Sequence, residues 1–293
     1  VRVYHRVWQL YVAHVFLFMI FLAMVAYTEG TFNKSLYAEE FGATNFLSEP
    51  GLALVQALML QFQPAFMDIL PLYIVLLAIL PLVLAGFRSW PRVMFFVSLG
   101  LWLAVQLDDR VALSAYPGPD RVWFFNPFAW QALFLLGAWL GWRNTHGGVS
   151  WLSRRWLFWL AAALSLAGFV IRFNWTLHGF YDPFPVLVSG KPLWAFLSKT
   201  DLGLLRLANV LAVALLVASL IRPQARFLAG SAAWPFLICG RNSLYIFCLG
   251  ILLSVLGHLV LNEFFGGLAM QFAVWVAGVV IMVAGGALLA AAV

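Results

Sequence analysis

The residues best suited to chemistry in this chain are few, and they stand at the ends of apolar runs. Asp68 opens the stretch MDILPLYIVLLAILPLVLAG and is one of only 11 acidic residues. His258 stands in LLSVLGHLVLN near the end of another apolar run, and Arg206 lies about one turn into a third, LLRLANV. The segment WFFNPFAWQALFLLGAWLGW carries Asn126, Trp130 and Gln131 at its start. A carboxylate or imidazole can take a proton from a hydroxyl, while amide and guanidinium donors can hold a developing oxyanion. Asp68 and His258 are therefore the candidate catalytic residues, and Asn126, Trp130, Gln131 and Arg206 the candidate substrate-binding ones. Plainer readings stand beside these. Asp68 suits a helix cap, and Asn126 followed by Pro127 suits an N-cap and first turn. Gln131 must be paired or line a wet cavity, Arg206 can snorkel to the interface, and His258, like His14 in the first apolar run, suits an interhelical hydrogen bond.

Other chemistries find no residues to support them. The chain has no HExxH, CxxC, GxxxxGK[ST] or GxSxG pattern, and its histidines are scattered singly at 5, 14, 146, 178 and 258. No metal site is expected. Cys239 and Cys248 lie in or beside an apolar run, which argues against a disulfide framework. Gly137 and Gly141 form a GxxxG pair that suits close helix packing.

The elements that must position these residues are set by composition. The chain is 64% hydrophobic and 10% charged, with a mean hydropathy of +0.95. A soluble domain carries about 25% charged residues, so lipid must be the solvent for most of this surface. A helix of about 20 apolar residues crosses about 30 Å of hydrocarbon. Eight runs meet that need: about 7–27, 66–86, 91–107, 124–142, 156–171, 202–221, 242–261 and 268–293. The run at 51–62 is too short to span and suits a re-entrant or interfacial helix. An all-α membrane bundle in one domain follows, with no internal repeat.

The loops alternate in charge. Arg2, Arg6, Arg88, Arg92, Arg143, Arg154, Arg155, Arg222, Arg226 and Arg241 occupy one set of connections with no acid among them. The other set holds Glu29, Glu39, Glu40, Glu49, Asp108, Asp109, Asp120, Asp182, Asp201 and Glu263, against Lys34, Arg110, Arg121, Arg172, Lys191 and Lys199. Positive residues stay on the cytoplasmic side, so the acidic loops are expected to be periplasmic. The net charge of +6 is spent on this orientation and gives no sign of nucleic acid as a partner. The acidic loops are also the longer ones and carry Tyr116, Trp123, Trp175, Tyr181 and Trp194, as binding loops or an aromatic belt would.

Four blocks, RVWQLYVAHVFLF, MDILPLYIVLL, FNPFAWQALFLLGAWLG and GRNSLYIFCLGILLSVLGHLVL, together resemble the OpgC-type membrane acyltransferases, which are similar to the wider acyltransferase-3 group. The resemblance runs in order along nearly the whole chain. It implies an inner-membrane protein of about ten helices in all, with succinyl transfer to osmoregulated periplasmic glucans and a cytoplasmic acyl-CoA as donor. It also aligns the first apolar run here with the family's third helix. The family's principal histidine would then lie upstream of Val1, and the chain is expected to be a fragment that is inactive alone. Two other classes remain open: a transporter or flippase for a glycan or acyl carrier, and a non-catalytic membrane subunit of a glycan-modifying complex.

Overall fold

The computed structural model describes residues 2–32, 36–118, 121–146, 148, 150–180, 195–221, 225–264 and 267–291. Lys34, Asp120, Asp182, Lys191 and Arg222 of the charge pattern, with Tyr181 and Trp194, lie outside the described residues. Among those described there is no β-strand, only isolated bridges such as Phe62 with Tyr116. The helices are α1 (Arg2–Phe32), α2 (Leu36–Glu40), α3 (Thr44–Ser48), α4 (Pro50–Leu58), α5 (Ile69–Ser89), α6 (Pro91–Leu107), α7 (Pro127–His146), α8 (Arg155–Phe180), α9 (Leu204–Leu220), α10 (Trp234–Arg241), α11 (Ser243–Glu263) and α12 (Leu268–Ala291).

Each of the eight apolar runs coincides with a helix, and the all-α membrane bundle is what the chain forms. Five helices, α1, α5, α8, α11 and α12, are long and apolar enough to cross a membrane. The apolar α6 and α9 have 17 residues each, which at about 1.5 Å per residue falls just short of about 30 Å of hydrocarbon. In α12 only 6% of the most apolar window is buried. Phe272, Trp275 and Leu288 stand exposed along it, a surface that only lipid can cover at acceptable cost.

Helix ends follow local chemistry. The expected start of α5 at 66 moves to Ile69, because Phe66 takes a left-handed φ of 69° and cannot begin a helix. Pro71 fits the first turn, where its missing N–H would have had no partner, and Pro81 lies inside the helix. Pro91 at the first turn of α6 and the extended Asp108 after it mark off 91–107. The run at 51–62 yields only the nine-residue α4.

The chain divides into two compact units: Val1–Val7, Met59–Gln63 and Asp68–Arg222 in one, and Trp8–Leu58, Pro64–Met67 and Pro223–Val293 in the other. In the first unit α7 packs against both α5 and α6. Leu72 and Leu76 of α5 meet Phe125, and Val83 and Phe87 meet Leu135 of α7. Trp102 and Val105 of α6 pack with Ala129 and Ala132. The small residues allow α6 and α7 to approach, and α8 packs along α9 beside them. In the second unit α12 packs against α10 and α11; Gly286 lies against Ile238 and the Cys239 backbone. Gly137 and Gly141, expected at a tight crossing, face open space among the described residues. Between α8 and α9 the close glycine is Gly168, where an added Cβ would lie 2.9 Å from Asn209 Oδ1.

Candidate functional site

In the first unit the site is built on the turn at 195–203, which joins the start of α9 to the end of α6 and the start of α7. A turn so rich in backbone polar groups must find partners for them. Trp102 Nε1 donates to Leu202 O at 3.0 Å, and Gln106 Nε2 donates to Asp201 O at 2.7 Å. Trp130 Nε1 reaches Lys199 O and Thr200 O, both at 3.1 Å, and the Asn126 N–H donates to Thr200 O at 3.1 Å. Ser198 Oγ accepts from the Asp201 N–H and donates to Asp201 Oδ2. Leu202 takes a φ of 48° and is fully buried. A Cβ on Gly203 would lie 2.4 Å from Phe196 O, so only glycine fits there.

This braced turn presents Lys199. Its ammonium lies 5.0 Å from the centroid of the Phe124 ring and 5.1 Å from that of Phe125, a cation–π arrangement. Asp68 is half-buried at the head of α5 and occupies the N-cap position without any capping bond from its side chain. Burial pushes its carboxyl above the usual carboxylate range, while nearby backbone N–H groups and the Lys199 charge hold it back. The Asp68 side chain thus makes no capping bond, and the Lys199 charge acts on its carboxyl.

The other sequence candidates of this unit fall around the same turn. Asn126 is buried and caps α7 as its type predicts: Oδ1 accepts from the Phe128 N–H at 3.1 Å, and Nδ2 donates to Val111 O at 2.7 Å. Gln131 lies deeper, between α6 and α7. Its Oε1 accepts from Ser98 Oγ at 2.7 Å, and its Nε2 donates to Ser98 O and Phe128 O. Its amide is thus committed to the helix pair. Arg206 donates from Nε and Nη2 to Leu197 O at 3.1 and 3.0 Å and shares a cleft with Lys199 and Arg172. Asp68, Trp130 and Arg206 are therefore linked through Lys199 and its turn.

His258 belongs to the second unit. Its Nε2 lies 2.8 Å from Glu40 Oε1 and 2.9 Å from Asn262 Nδ2, and its ring meets the Phe41 ring edge-on at 5.5 Å. The His258 and Glu40 side chains are 36% and 39% exposed, so the pair is reachable from outside. Behind it, the buried Tyr37 O–H donates to Glu263 Oε1. Burial, that hydrogen bond and the Glu40 charge push the Tyr37 phenol up to about 12, so it stays a donor. A single imidazole nitrogen cannot donate to Glu40 and accept from Asn262 at once. With its proton on Nε2 the ring donates to Glu40, and Nδ1 carries the lone pair. His14 is fully buried with neither ring nitrogen partnered among the described residues, so the expected interhelical bond is not made there.

Glu40 and Lys199 entered the sequence reading only as loop charges, and Tyr37 was not singled out. A signal existed for Lys199: S-x-x-D at Ser198 and Asp201, just before an apolar run, is a capping pattern that fixes the turn carrying it. No cluster of His, Cys, Asp or Glu suited to a metal ion occurs among the described residues. In comparisons with known proteins, the family model described as OpgC protein matches residues 1–292. No curated protein and no solved structure matches the chain.

Proposed function

Because the chain belongs to the OpgC protein family, we propose that it forms the membrane domain of an O-acyltransferase of the bacterial inner membrane. It would move a succinyl or similar acyl group from a cytoplasmic acyl-CoA to a hydroxyl of a periplasmic glucan. The observation that carries this reading is the family match along residues 1–292.

The reaction forms an ester bond between the glucan oxygen and the acyl carbonyl carbon and breaks the thioester C–S bond. The hydroxyl proton must leave as the oxygen attacks, and the thiolate of the departing donor must be protonated. Each unit supplies one base on its acidic-loop side. In the second, Glu40 holds the His258 imidazole by its Nε2–H, which leaves Nδ1 to take the hydroxyl proton. In the first, Asp68 binds the hydroxyl as acceptor, and the Lys199 ammonium favours the oxyanion that develops on the carbonyl.

The test is acylation of periplasmic glucan by the complete protein in a strain lacking its own transferase. Asp68→Asn, His258→Gln and Glu40→Gln are compared with wild type at equal membrane abundance. Loss in His258→Gln and Glu40→Gln with retention in Asp68→Asn assigns the proton transfer to the second unit, and the opposite pattern assigns it to the first. Near-normal acylation in all three variants removes both bases, and neutral glucan from wild type removes the reaction.

A further inference from the structure

The α8–α9 pair encloses a cleft of about 600 Å³ whose contents do not balance electrically. Arg172, Lys199 and Arg206 line it, and among the described residues no carboxylate does. Asp68 answers Lys199 from outside the cleft. The two arginines are close enough for their charges to act on one another, and neither makes an ion pair among the described residues. Arg206 is already oriented, because Nε and Nη2 both donate to Leu197 O, which leaves Nη1 uncommitted among the described residues. Farther along, the walls are apolar, with Leu164, Ala167, Ile171 and Ala208. There Asn209 Oδ1 is buried with no hydrogen-bond partner.

Two guanidinium groups lining one cleft with no acid among the described residues repel each other. An anion between them converts the repulsion into charge-assisted hydrogen bonds, for which the planar arginine fork is well suited. A free inorganic ion would leave the apolar walls bare. The occupant that answers both the arginines and those walls is an anionic group on an apolar body.

We propose that the α8–α9 cleft is a subsite for an amphiphilic anion, held by Arg172 and Arg206, with its apolar part along Ala167 and Ile171. Two sources carry this chemistry: an acyl group that ends in a free carboxylate, and an anionic lipid with a phosphate headgroup. Assigning the anion to the acyl group rests on the transferase reading above; the anion subsite itself does not.

The experiment uses the purified full chain in an uncharged detergent. Affinity is measured for monooctyl succinate and lysophosphatidylglycerol, each against an uncharged counterpart, methyl octyl succinate and a monoacylglycerol. At least one anion should bind about tenfold more tightly than its counterpart, and Arg172→Gln should remove most of that preference. Arg206→Gln should do the same, but it also frees the Leu197 carbonyl; Arg172→Gln breaks no such bond and keeps the test clean. Preference for the succinate assigns the subsite to the acyl group, and preference for the phospholipid assigns it to lipid. Equal binding of anions and uncharged counterparts, or a preference that survives both substitutions, overturns the proposal. Because binding is read without turnover, an inactive Asp68→Asn or His258→Gln protein leaves this result unchanged.

Discussion

Asp68 sits half-buried at the head of α5, without a capping bond and with Lys199 as its charged neighbour. Burial is the larger influence, so the folded protein binds a proton at Asp68 more tightly than the unfolded chain does. The sign follows from linkage: an ionised Asp68 costs folding stability at neutral pH, and that cost disappears as pH falls through its raised value. Asp68→Asn should therefore be at least as stable as wild type at neutral pH in detergent, and the two melting temperatures should converge below the usual carboxylate range. A variant markedly less stable at neutral pH would show that the charge supports the fold. Tyr37→Phe acts in the opposite direction. It strips Glu263 of a buried donor, and a hydrogen bond to a charged group contributes about 1.5–3 kcal/mol, so thermal unfolding should report a loss of that order. Asp68, Gln131 and His258 were legible because each is a polar group set in an apolar run. Tyr37 was not, since its meaning comes from a partner 226 residues away that no local pattern announces.

Between elements, the first unit is joined by side chains that reach across helices. Ser98 of α6 and Gln131 of α7 exchange hydrogen bonds, Ser98 Oγ to Oε1 and Nε2 to Ser98 O. Ser98→Ala leaves Gln131 Oε1 buried without a donor, which costs about 1–3 kcal/mol. Adding Gln131→Leu should restore part of that loss, because the orphaned acceptor is then gone. Equal, additive losses in thermal unfolding would mean that the two side chains act independently. The helices themselves were legible, and α6 to the residue, because Pro91 and Asp108 punctuate the apolar run. The end of α8 was missed. The run was ended at 171 and Arg172 counted with the acidic loops, but a helix emerging from hydrocarbon carries polar side chains without breaking its backbone bonds, and α8 continues to Phe180. The choice of packing glycine was also beyond the pattern. Gly137 and Gly141 had the spacing, yet Gly168 has the neighbour, since rotation about the helix axis decides which face meets another element.

At the scale of the first unit, α5, α6 and α7 carry the chain back and forth between two chemically different ends. Through α5 it passes from Asp68 to Arg88, through α6 from Arg92 to Asp108 and Asp109, and through α7 to Arg143. Composition alone announced that lipid is the solvent, because so apolar a chain has too few charges to cover a soluble surface. Retention of arginine in the cytoplasm predicts which side each end faces, and labelling tests it. Ser48 at the end of α3 and Asn144 near the end of α7 are both exposed, the first in the acidic set of connections and the second beside Arg143 in the arginine set. In a background of Cys239→Ala and Cys248→Ala, Ser48→Cys should react with a membrane-impermeant maleimide on intact spheroplasts. Asn144→Cys should react only once the membrane is permeabilised. The reverse pattern would overturn the expected orientation and put the acidic connections in the cytoplasm. A periplasmic glucan could then not reach them. Equal labelling of both sites in sealed spheroplasts would mean that α5, α6 and α7 do not carry the chain across the bilayer three times.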